Sequence, residues 1–410
     1  MTQAKDKIGI IGLGYVGLPL FCLFSRKYEC WGMDCNEFRI KELQTGEDLR
    51  RCQDDNDLSL ALLKSRITAN WNDLSQCNIY IVAVPTPVDK DKEPDFRPLK
   101  NACIKIGSIL SKNDIVIFES TVHPGTTDEI CIPFLEKTSG LTVNNDFFVA
   151  YSPERINIGD NSHRTDNVPK IVSASNRDAL DVVANLYESV INATIVRASS
   201  IKVAEAAKMY ENLQRDVLIA LANQYSEYCR EEGIDIQEVT DCAATKWNFS
   251  NVRPGLVGGH CIGVDTYYLL KRSIQKKVDL PIVTTARSVN ENKATKVCKR
   301  ITAYAQSLYI DTKRLKILIL GFSYKANTPD IRNTMIATIV KSLYGTFEIV
   351  DCFDPLVDSH DVEMRYGIQM LNMNHLHLDE YDIIVKAVNH TIFSKYIKDI
   401  PTMVDINMFL

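Results

Sequence analysis

A cysteine set among glycines is the first place in this chain where residue types and spacing could do covalent chemistry. The run Val252-Arg253-Pro254-Gly255-Leu256-Val257-Gly258-Gly259-His260-Cys261-Ile262-Gly263-Val264-Asp265 holds four glycines and one proline. Such a loop is costly to order and needs a reason. Glycines on both sides of Cys261 let a ligand or another backbone come close to the thiol, and Asp265 falls where a following helix would begin. A nucleophilic thiol is one reading, and a small buried apolar side chain is the other. A metal site is the weakest reading, because Cys261 has no second ligand at zinc spacing. Upstream, Lys208 and Asn212 stand four residues apart in the Ala-rich run AEAAKMYENLQRD, so on a helix both project from one face. A buried lysine beside an amide can stabilise an oxyanion; the alternative is a solvated lysine beside a capping asparagine.

A second constellation belongs to cofactor binding. Gly12-Leu13-Gly14-Tyr15-Val16-Gly17 follows the apolar run KIGII and opens a helical segment, and Asp34 ends the next apolar run, ECWGMD. In a dinucleotide fingerprint the first glycine permits the tight turn and the second lets the backbone approach a pyrophosphate at the helix N-terminus. The third allows close helix–strand packing. Asp34 can accept ribose hydroxyls and would repel a 2′-phosphate, which favours NAD over NADP. A ligand-free glycine turn and a FAD-binding fold are the alternatives.

The elements that must hold these residues follow from hydrophobic periodicity. Short apolar runs (KIGII, YECWGMD, NIYIVAVP, DIVIFES, FFVAYSP, then PKIVSA and ATIVRA) alternate with helical patterns or turn clusters to about residue 197. That alternation predicts an α/β fold, a parallel sheet with helices on both faces. From Ser199 to about Arg230 there is no proline or glycine and the apolar spacing is helical, so one long helix is expected, with a second helical region near 280–306. Strand alternation resumes at LKILILGF, FEIVDCFDP and YDIIVKAV. The expected architecture is two Rossmann-like, doubly wound domains joined by a central long-helix domain.

Bulk properties narrow the function. With 410 residues the chain exceeds what one core usually organises. A net charge of −5 with mixed signs offers no basic stripe for a phosphate backbone, so nucleic acid is not an expected partner. No apolar run approaches the ~20 residues that span a bilayer, and the N-terminus lacks a secretory pattern, so a cytoplasmic chain without a membrane partner is expected. The twelve cysteines include no C-x-x-C pair. They read as scattered thiols of a reducing compartment, with neither a disulfide framework nor a metal site.

Seven ordered motifs, GLGYVGLP, VPTP, ESTVHPGTT, YSPERI, AAKMYEN, GLVGGHCIGVD and GFSYKANTPDIRNT, resemble the UDP-glucose/GDP-mannose dehydrogenase family over essentially the whole chain. The resemblance implies an NAD-binding domain at 1–197, a helical dimerisation domain at 198–308 and a UDP-sugar-binding Rossmann-like domain at 309–410. That last domain retains Gly321 but no full glycine fingerprint. Carried over by position, Cys261 is the nucleophile, Lys208 and Asn212 hold the oxyanion, Asp265 orients water or takes protons, and Glu154 and Thr121 assist thioester hydrolysis. The resemblance assigns cofactor contacts to Gly12, Gly14, Tyr15, Val16, Gly17, Asp34, Arg39, Pro85, Thr86 and Thr121. It assigns substrate contacts to Glu154, Arg155, Lys208, Asn212, Arg253, Gly259, Lys325 and Arg332. The implied chemistry is a four-electron oxidation of a sugar's primary alcohol to a carboxylate. Two hydride transfers to NAD are separated by a thiohemiacetal and followed by a thioester.

YSPERINIGD resembles the ERINPGD form of members acting on UDP-N-acetylglucosamine or UDP-N-acetylgalactosamine, and KAVNHTIF resembles the AVxHxxF pattern of the same group. Ile158 in place of proline and Thr266 after the aspartate depart from that pattern. UDP-N-acetylmannosamine or UDP-glucose is the alternative substrate. A two-electron hydroxyacid dehydrogenase, which needs no thiol, and a non-catalytic UDP-sugar sensor are rival readings from other classes.

Overall fold

The computed structural model describes residues 6–156, 162–259, 262–309, 311–395 and 402–410. Ile158, His260 and Cys261 therefore lie outside the described residues. The chain divides into two compact units, Met1–Glu211 with Tyr267–Arg272, and Asn212–Thr266 with Ser273–Leu410.

The first unit is built on eight strands: β1 (Lys7–Ile11), β2 (Glu29–Met33), β3 (Arg66–Thr68), β4 (Ile79–Val82), β5 (Ile115–Phe118), β6 (Phe148–Tyr151), β7 (Lys170–Ala174) and β8 (Ile195–Arg197). Their order is β3-β2-β1-β4-β5-β6-β7-β8. Helices α1 (Gly17–Ser25), α2 (Glu37–Gln44), α3 (Asp55–Leu62), α4 (Arg97–Gly107), α5 (Ile132–Ser139) and α6 (Arg177–Glu188) lie between the strands in sequence. The side-chain period of two divides the sheet between two cores. Ile79, Ile81, Ile115 and Ile117 join Phe21 and Phe24 of α1. Tyr80, Val82, Val116 and Phe118 join Leu99 and Ile106 of α4. Both faces being covered, β4 and β5 are apolar and buried at every position.

The all-parallel expectation needs one correction, since β6 and β7 pair antiparallel, Ala150 opposite Ala174 and Tyr151 opposite Ser173. The connection between these strands, residues 152–169, contains no helix among its described residues to return the chain to the starting edge. The reversal brings the start of β7 to the end of the sheet where β5 and β6 finish.

One helix, α7 (Ile201–Glu231), has 31 residues and is roughly 46 Å long at 1.5 Å per residue. The boundary between the units falls within it. The second unit continues with α8 (Ile236–Ala244), α9 (Ile262–Lys276) and α10 (Pro281–Leu308). A parallel sheet follows, ordered β10-β9-β11-β12, of β9 (Lys316–Leu320), β10 (Ile349–Phe353), β11 (Ile383–Lys386) and β12 (Met403–Asp405), with α11 (Met335–Leu343) and α12 (Ser359–Tyr366). Strands β3 and β12, three residues each, are too short to announce themselves in the sequence.

Candidate active site

The strand order reverses between β1 and β4, and in an open α/β sheet ligands bind beyond the carboxyl ends of the strands at such a point. The glycine run occupies that place. Gly12 has φ +93°, and a Cβ there would stand 2.6 Å from the Ala83 carbonyl; a Cβ on Gly17 would stand 1.7 Å from the Gly12 carbonyl. Nothing lies within 4 Å of the Cβ position of Gly14. The first and third glycines therefore serve the fold, and the second faces open space where a pyrophosphate can approach. Val16 is the N-cap of α1 without a side-chain cap, and although Leu18 N–H donates to the Gly14 carbonyl at 3.1 Å, the positive end of the helix dipole lies where an anion can approach. Asp34 accepts Leu13 N–H at 2.9 Å and Asn36 N–H at 2.9 Å, which fixes its carboxylate at the end of β2 with acceptor sites remaining for ribose hydroxyls. These residues fit a dinucleotide.

Arg39 is corrected. It is 1 % exposed, its guanidinium pairs with Asp48 at 2.7 Å and Glu42 at 2.6 Å, and its Nε donates to the Leu13 carbonyl at 3.1 Å. It braces the glycine loop from behind and offers no surface to a ligand.

The loops after β4, β5 and β6 gather at the same end. Thr86, buried, donates to the Thr121 carbonyl at 2.8 Å and Ser120 donates to the Val84 carbonyl at 2.6 Å, stitching VPTP to EST; Pro85 is exposed between them. Glu205 of α7 accepts from Gly125 N, Thr127 N and Thr127 Oγ1, fixing the HPGTT turn. Burial raises the Glu205 carboxyl to about 7 despite these donors. After β6, Glu154 is buried; its Oε1 accepts Arg155 N–H at 2.6 Å and Ile156 N–H at 2.7 Å, while Oε2 makes no hydrogen bond among the described residues. The Arg155 guanidinium is paired with Glu211 at 2.8 Å and bonded to the Pro169 carbonyl at 2.8 Å.

On α7, Lys208 is buried, and no hydrogen-bond or ion-pair partner for its ammonium occurs among the described residues. One turn on, Asn212 Nδ2 donates to Asp265 Oδ2 in the first turn of α9. A further turn on, Asp216 accepts from Thr266 Oγ1 at 3.1 Å and Asn290 Nδ2 at 2.7 Å and pairs with buried Arg287 at 3.2 Å. The threonine that departs from the family pattern thus makes a bond to Asp216 that proline could not. Asn223, also on α7, clamps Gly255 through both backbone groups, at 2.9 and 3.0 Å. Sequence reading missed Asp216, Asn223, Arg287 and Asn290; Asp216 and Asn223 are signalled only as polar residues flanking the apolar run VLIALA, and Arg287 and Asn290 lie in the polar run TTARSVNENK, which hides them.

The glycines before Cys261 prove to admit backbone and ring neighbours. A Cβ on Gly258 would stand 2.9 Å from the Asn333 carbonyl, and one on Gly259, at φ +81°, 2.7 Å from the Tyr324 ring. Gly259 N–H also donates to the Arg332 carbonyl at 3.1 Å, and Asn333 Nδ2 to the Gly259 carbonyl at 3.1 Å. The cysteine loop is locked onto the SYKANTPDIRNT segment. Arg332 forms a two-point pair with Asp330, and Arg253 is held by Gln237 and Asp241 of α8. A cavity of about 260 Å³ is lined by Gly255, Tyr324, Lys325, Lys386, Asn389 and Asp405, among others.

The second sheet repeats the turn of the first. Gly321 after β9 has the same φ of +93°, and a Cβ there would stand 2.5 Å from Val388 after β11. Asp354 after β10 accepts Phe322 N–H at 2.7 Å and Leu356 N–H at 2.9 Å, as Asp34 accepts Leu13 and Asn36. Its Oδ2 also accepts from His390 Nε2 at 3.0 Å, while His390 Nδ1 accepts from Asn327 N–H at 2.9 Å. Two nucleotide-type turns, one per unit, are joined in this sequence to a lysine–asparagine pair and a glycine-bound thiol.

Residues 6–191, 202–292 and 318–409 match the NAD binding, central and UDP binding domains of the UDP-glucose/GDP-mannose dehydrogenase family. The chain belongs to that family. It is an NAD-dependent nucleotide-sugar dehydrogenase. Relatives include the UDP-N-acetyl-D-glucosamine 6-dehydrogenase of Pseudomonas aeruginosa, 44 % identical over 95 % of this chain and 92 % of the relative. The enzyme of the same name from Salmonella typhi is 43 % identical over 95 % and 91 %. The solved UDP-D-ManNAc dehydrogenase of Pyrococcus horikoshii superposes with TM-score 0.87 at 27 % identity, covering 98 % of this dehydrogenase and 99 % of that chain. Among the described residues no cluster of side chains suits a metal ion and no helix is long and apolar enough to cross a membrane.

Proposed function

We propose that this dehydrogenase oxidises C6 of a UDP-N-acetylhexosamine, UDP-N-acetylglucosamine or UDP-N-acetylgalactosamine, to the uronic acid, with Cys261 as covalent nucleophile. The observation that carries the chemistry is the mostly buried side chain of Lys208, with no ion-pair partner among the described residues, one helical turn from Asn212, whose amide is tied to Asp265. A cation left without a counter-ion among those residues suits a site where negative charge develops during the reaction. Relatives named for N-acetylglucosamine are 43–44 % identical, against 28–31 % for relatives named for N-acetylmannosamine. A relative named for N-acetylgalactosaminuronic acid is 28 % identical, so the difference favours N-acetylglucosamine.

NAD, when bound, accepts the hydride in each of the two oxidations, consuming two NAD per sugar. The turn shaped by Gly12 and Gly17 would hold it against Gly14, with Tyr15, Val16, Asp34, Pro85, Thr86 and Thr121 beside it. Lys208 and Asn212 balance the oxyanion as the Cys261 thiolate adds to the aldehyde, and Asp265, oriented by the Asn212 amide, takes the alcohol proton as the first hydride leaves. In the last step water oxygen bonds to the acyl carbon and its proton passes to Glu154. The C–S bond breaks with its electron pair on sulfur. Gly259, Lys325 and Arg332 face the nucleotide sugar, Arg155 supports Glu154, and Arg253 reaches phosphate on leaving Gln237 and Asp241.

The domains implied by sequence, 1–197, 198–308 and 309–410, carry cofactor binding, dimerisation and UDP-sugar binding. Exposed Val203, Tyr210, Leu221, Tyr225 and Tyr228 form one apolar stripe along α7, which supports a homodimer. The enzyme is assigned to the cytoplasm, where both nucleotides are found. The test is the NADH formed per UDP-sugar consumed, for wild type and Cys261→Ala, with the four UDP-sugars offered separately. Two NADH from a UDP-N-acetylhexosamine, abolished by the substitution, is the expected result. One NADH, or activity surviving without the thiol, refutes the thioester route.

A further inference from the structure

The antiparallel return of β7 delivers a buried cation to the site end of the first sheet. Lys170, the first residue of β7, is 3 % exposed, and its ammonium binds Glu119 Oε2, the carboxylate that follows β5. Tyr187 of α6 donates its hydroxyl to the other Glu119 oxygen, and the Lys170 ammonium also stands 5.6 Å from the Tyr187 ring centroid. Facing Lys170 from the loop after β6 is Glu154 Oε2, at 3.5 Å. Among the described residues, the charged and titratable groups around Lys170 are Glu119 and Glu154 from two loops and Tyr187 from α6.

The spacing decides what this arrangement does. Charge-assisted N–H···O bonds close to about 2.8 Å, so 3.5 Å compensates the charge on Glu154 without occupying its oxygen. Tyr187 and Glu119 together hold the ammonium on their side. Glu154 Oε1 is saturated by two backbone N–H groups, and Oε2 is buried with no hydrogen-bond partner among the described residues. An orphaned buried acceptor is costly and calls for an explanation. Burial pushes the Glu119 carboxyl up to about 7, which shows how sparingly this cluster is solvated.

We propose that Lys170 is a positioning residue for the hydrolytic half of the reaction. Drawn off by Glu119, it holds Glu154 as a charge-compensated carboxylate with one oxygen open to accept the proton of the attacking water. The inference rests on the reading of Glu154 as the group that takes that proton. Without Lys170, two carboxylates face one dry pocket, one of them takes a proton, and hydrolysis loses its acceptor while the earlier oxidations proceed.

The experiment compares wild type, Lys170→Met, Glu119→Gln and Glu154→Gln, with UDP-N-acetylglucosamine and UDP-N-acetylgalactosamine each offered with NAD. It reads the NADH burst, steady-state kcat and KM, and the intact-protein mass during turnover. For Lys170→Met the expected result is a full burst of two NADH per site, kcat lower by on the order of 10²-fold, KM for the UDP-sugar within threefold of wild type, and a protein mass raised by the acyl group. Glu119→Gln, which leaves no unpaired cation because Lys170 can close on Glu154, shows the same adduct with a smaller loss. It decides the matter should Lys170→Met fail to fold. If Glu154→Gln accumulates the adduct and neither other variant does, Lys170 only holds the fold and the proposal is overturned. If Glu154→Gln itself accumulates none, the reading of Glu154 falls and the proposal with it.

Discussion

Replacing Arg39 by methionine tests whether the glycine loop is braced from behind by a buried ion pair. The side chains of Arg39 and Asp48 are both fully buried. Burial opposes the charge of Arg39, yet Asp48 and Glu42 raise its pKa above the ordinary value. Methionine fills most of the volume but leaves the Asp48 carboxylate with only Arg50 N–H at 3.2 Å and Gln53 N–H at 2.8 Å. Breaking a buried pair at one partner costs about 3–5 kcal/mol. The two remaining donors and the partial exposure of Glu42, 17 %, place this case at the low end, about 3 kcal/mol. For a unit of roughly 200 residues that is a fall in Tm of about 6–12 °C. Loss of the Nε bond to the Leu13 carbonyl also loosens the loop, so KM for NAD rises while KM for the UDP-sugar holds. The assay is urea unfolding without ligands plus steady-state kinetics. The double substitution Arg39→Met with Asp48→Asn removes the orphaned charge and restores at least half of the lost stability, a coupling of about 1.5 kcal/mol or more. A single variant within 1 kcal/mol of wild type with unchanged KM for NAD would refute the bracing role.

Gly17→Ala puts a methyl 1.7 Å from the Gly12 carbonyl, and relieving so deep an overlap costs about 3 kcal/mol; fluorescence titration should show NAD binding lost. Gly14→Ala meets no protein atom, so it should fold with wild-type Tm and weaken only the cofactor. Lys208→Met should lower kcat by on the order of 10²–10³-fold, with little change in the KM for NAD, by stopped-flow absorbance. Burial opposes ionisation of Asp354, but the hydrogen bond from His390 and those from the Phe322 and Leu356 N–H groups hold its carboxyl below the usual range. A depressed acid contributes stability that is fully present above its unfolded pKa and is lost as pH falls through the folded one. Unfolding midpoints of the wild type should therefore drop below about pH 4, and more steeply than those of Asp354→Asn.

The sequence by itself determined the local elements and the chemistry they carry. Seven apolar runs in the first half became strands, the run from Ser199 became the single helix Ile201–Glu231, Gly12 and Gly17 took the tight turn and the close packing their spacing implies, and Gly14 was left beside open space. These follow from period and from sterics between near neighbours, which a linear chain encodes. Tertiary structure alone decided what depends on partners far apart in sequence. Arg39 sits in a cofactor motif, yet Asp48 and the Leu13 carbonyl turn it inward. The glycines beside Cys261 admit Tyr324 and the Asn333 backbone, more than 60 residues away. Lys170 reads as the polar start of an ordinary strand. Its meeting with Glu119, Glu154 and Tyr187 exists because β7 runs against β6, and strand direction is set by how the chain returns to the sheet, which no local pattern records.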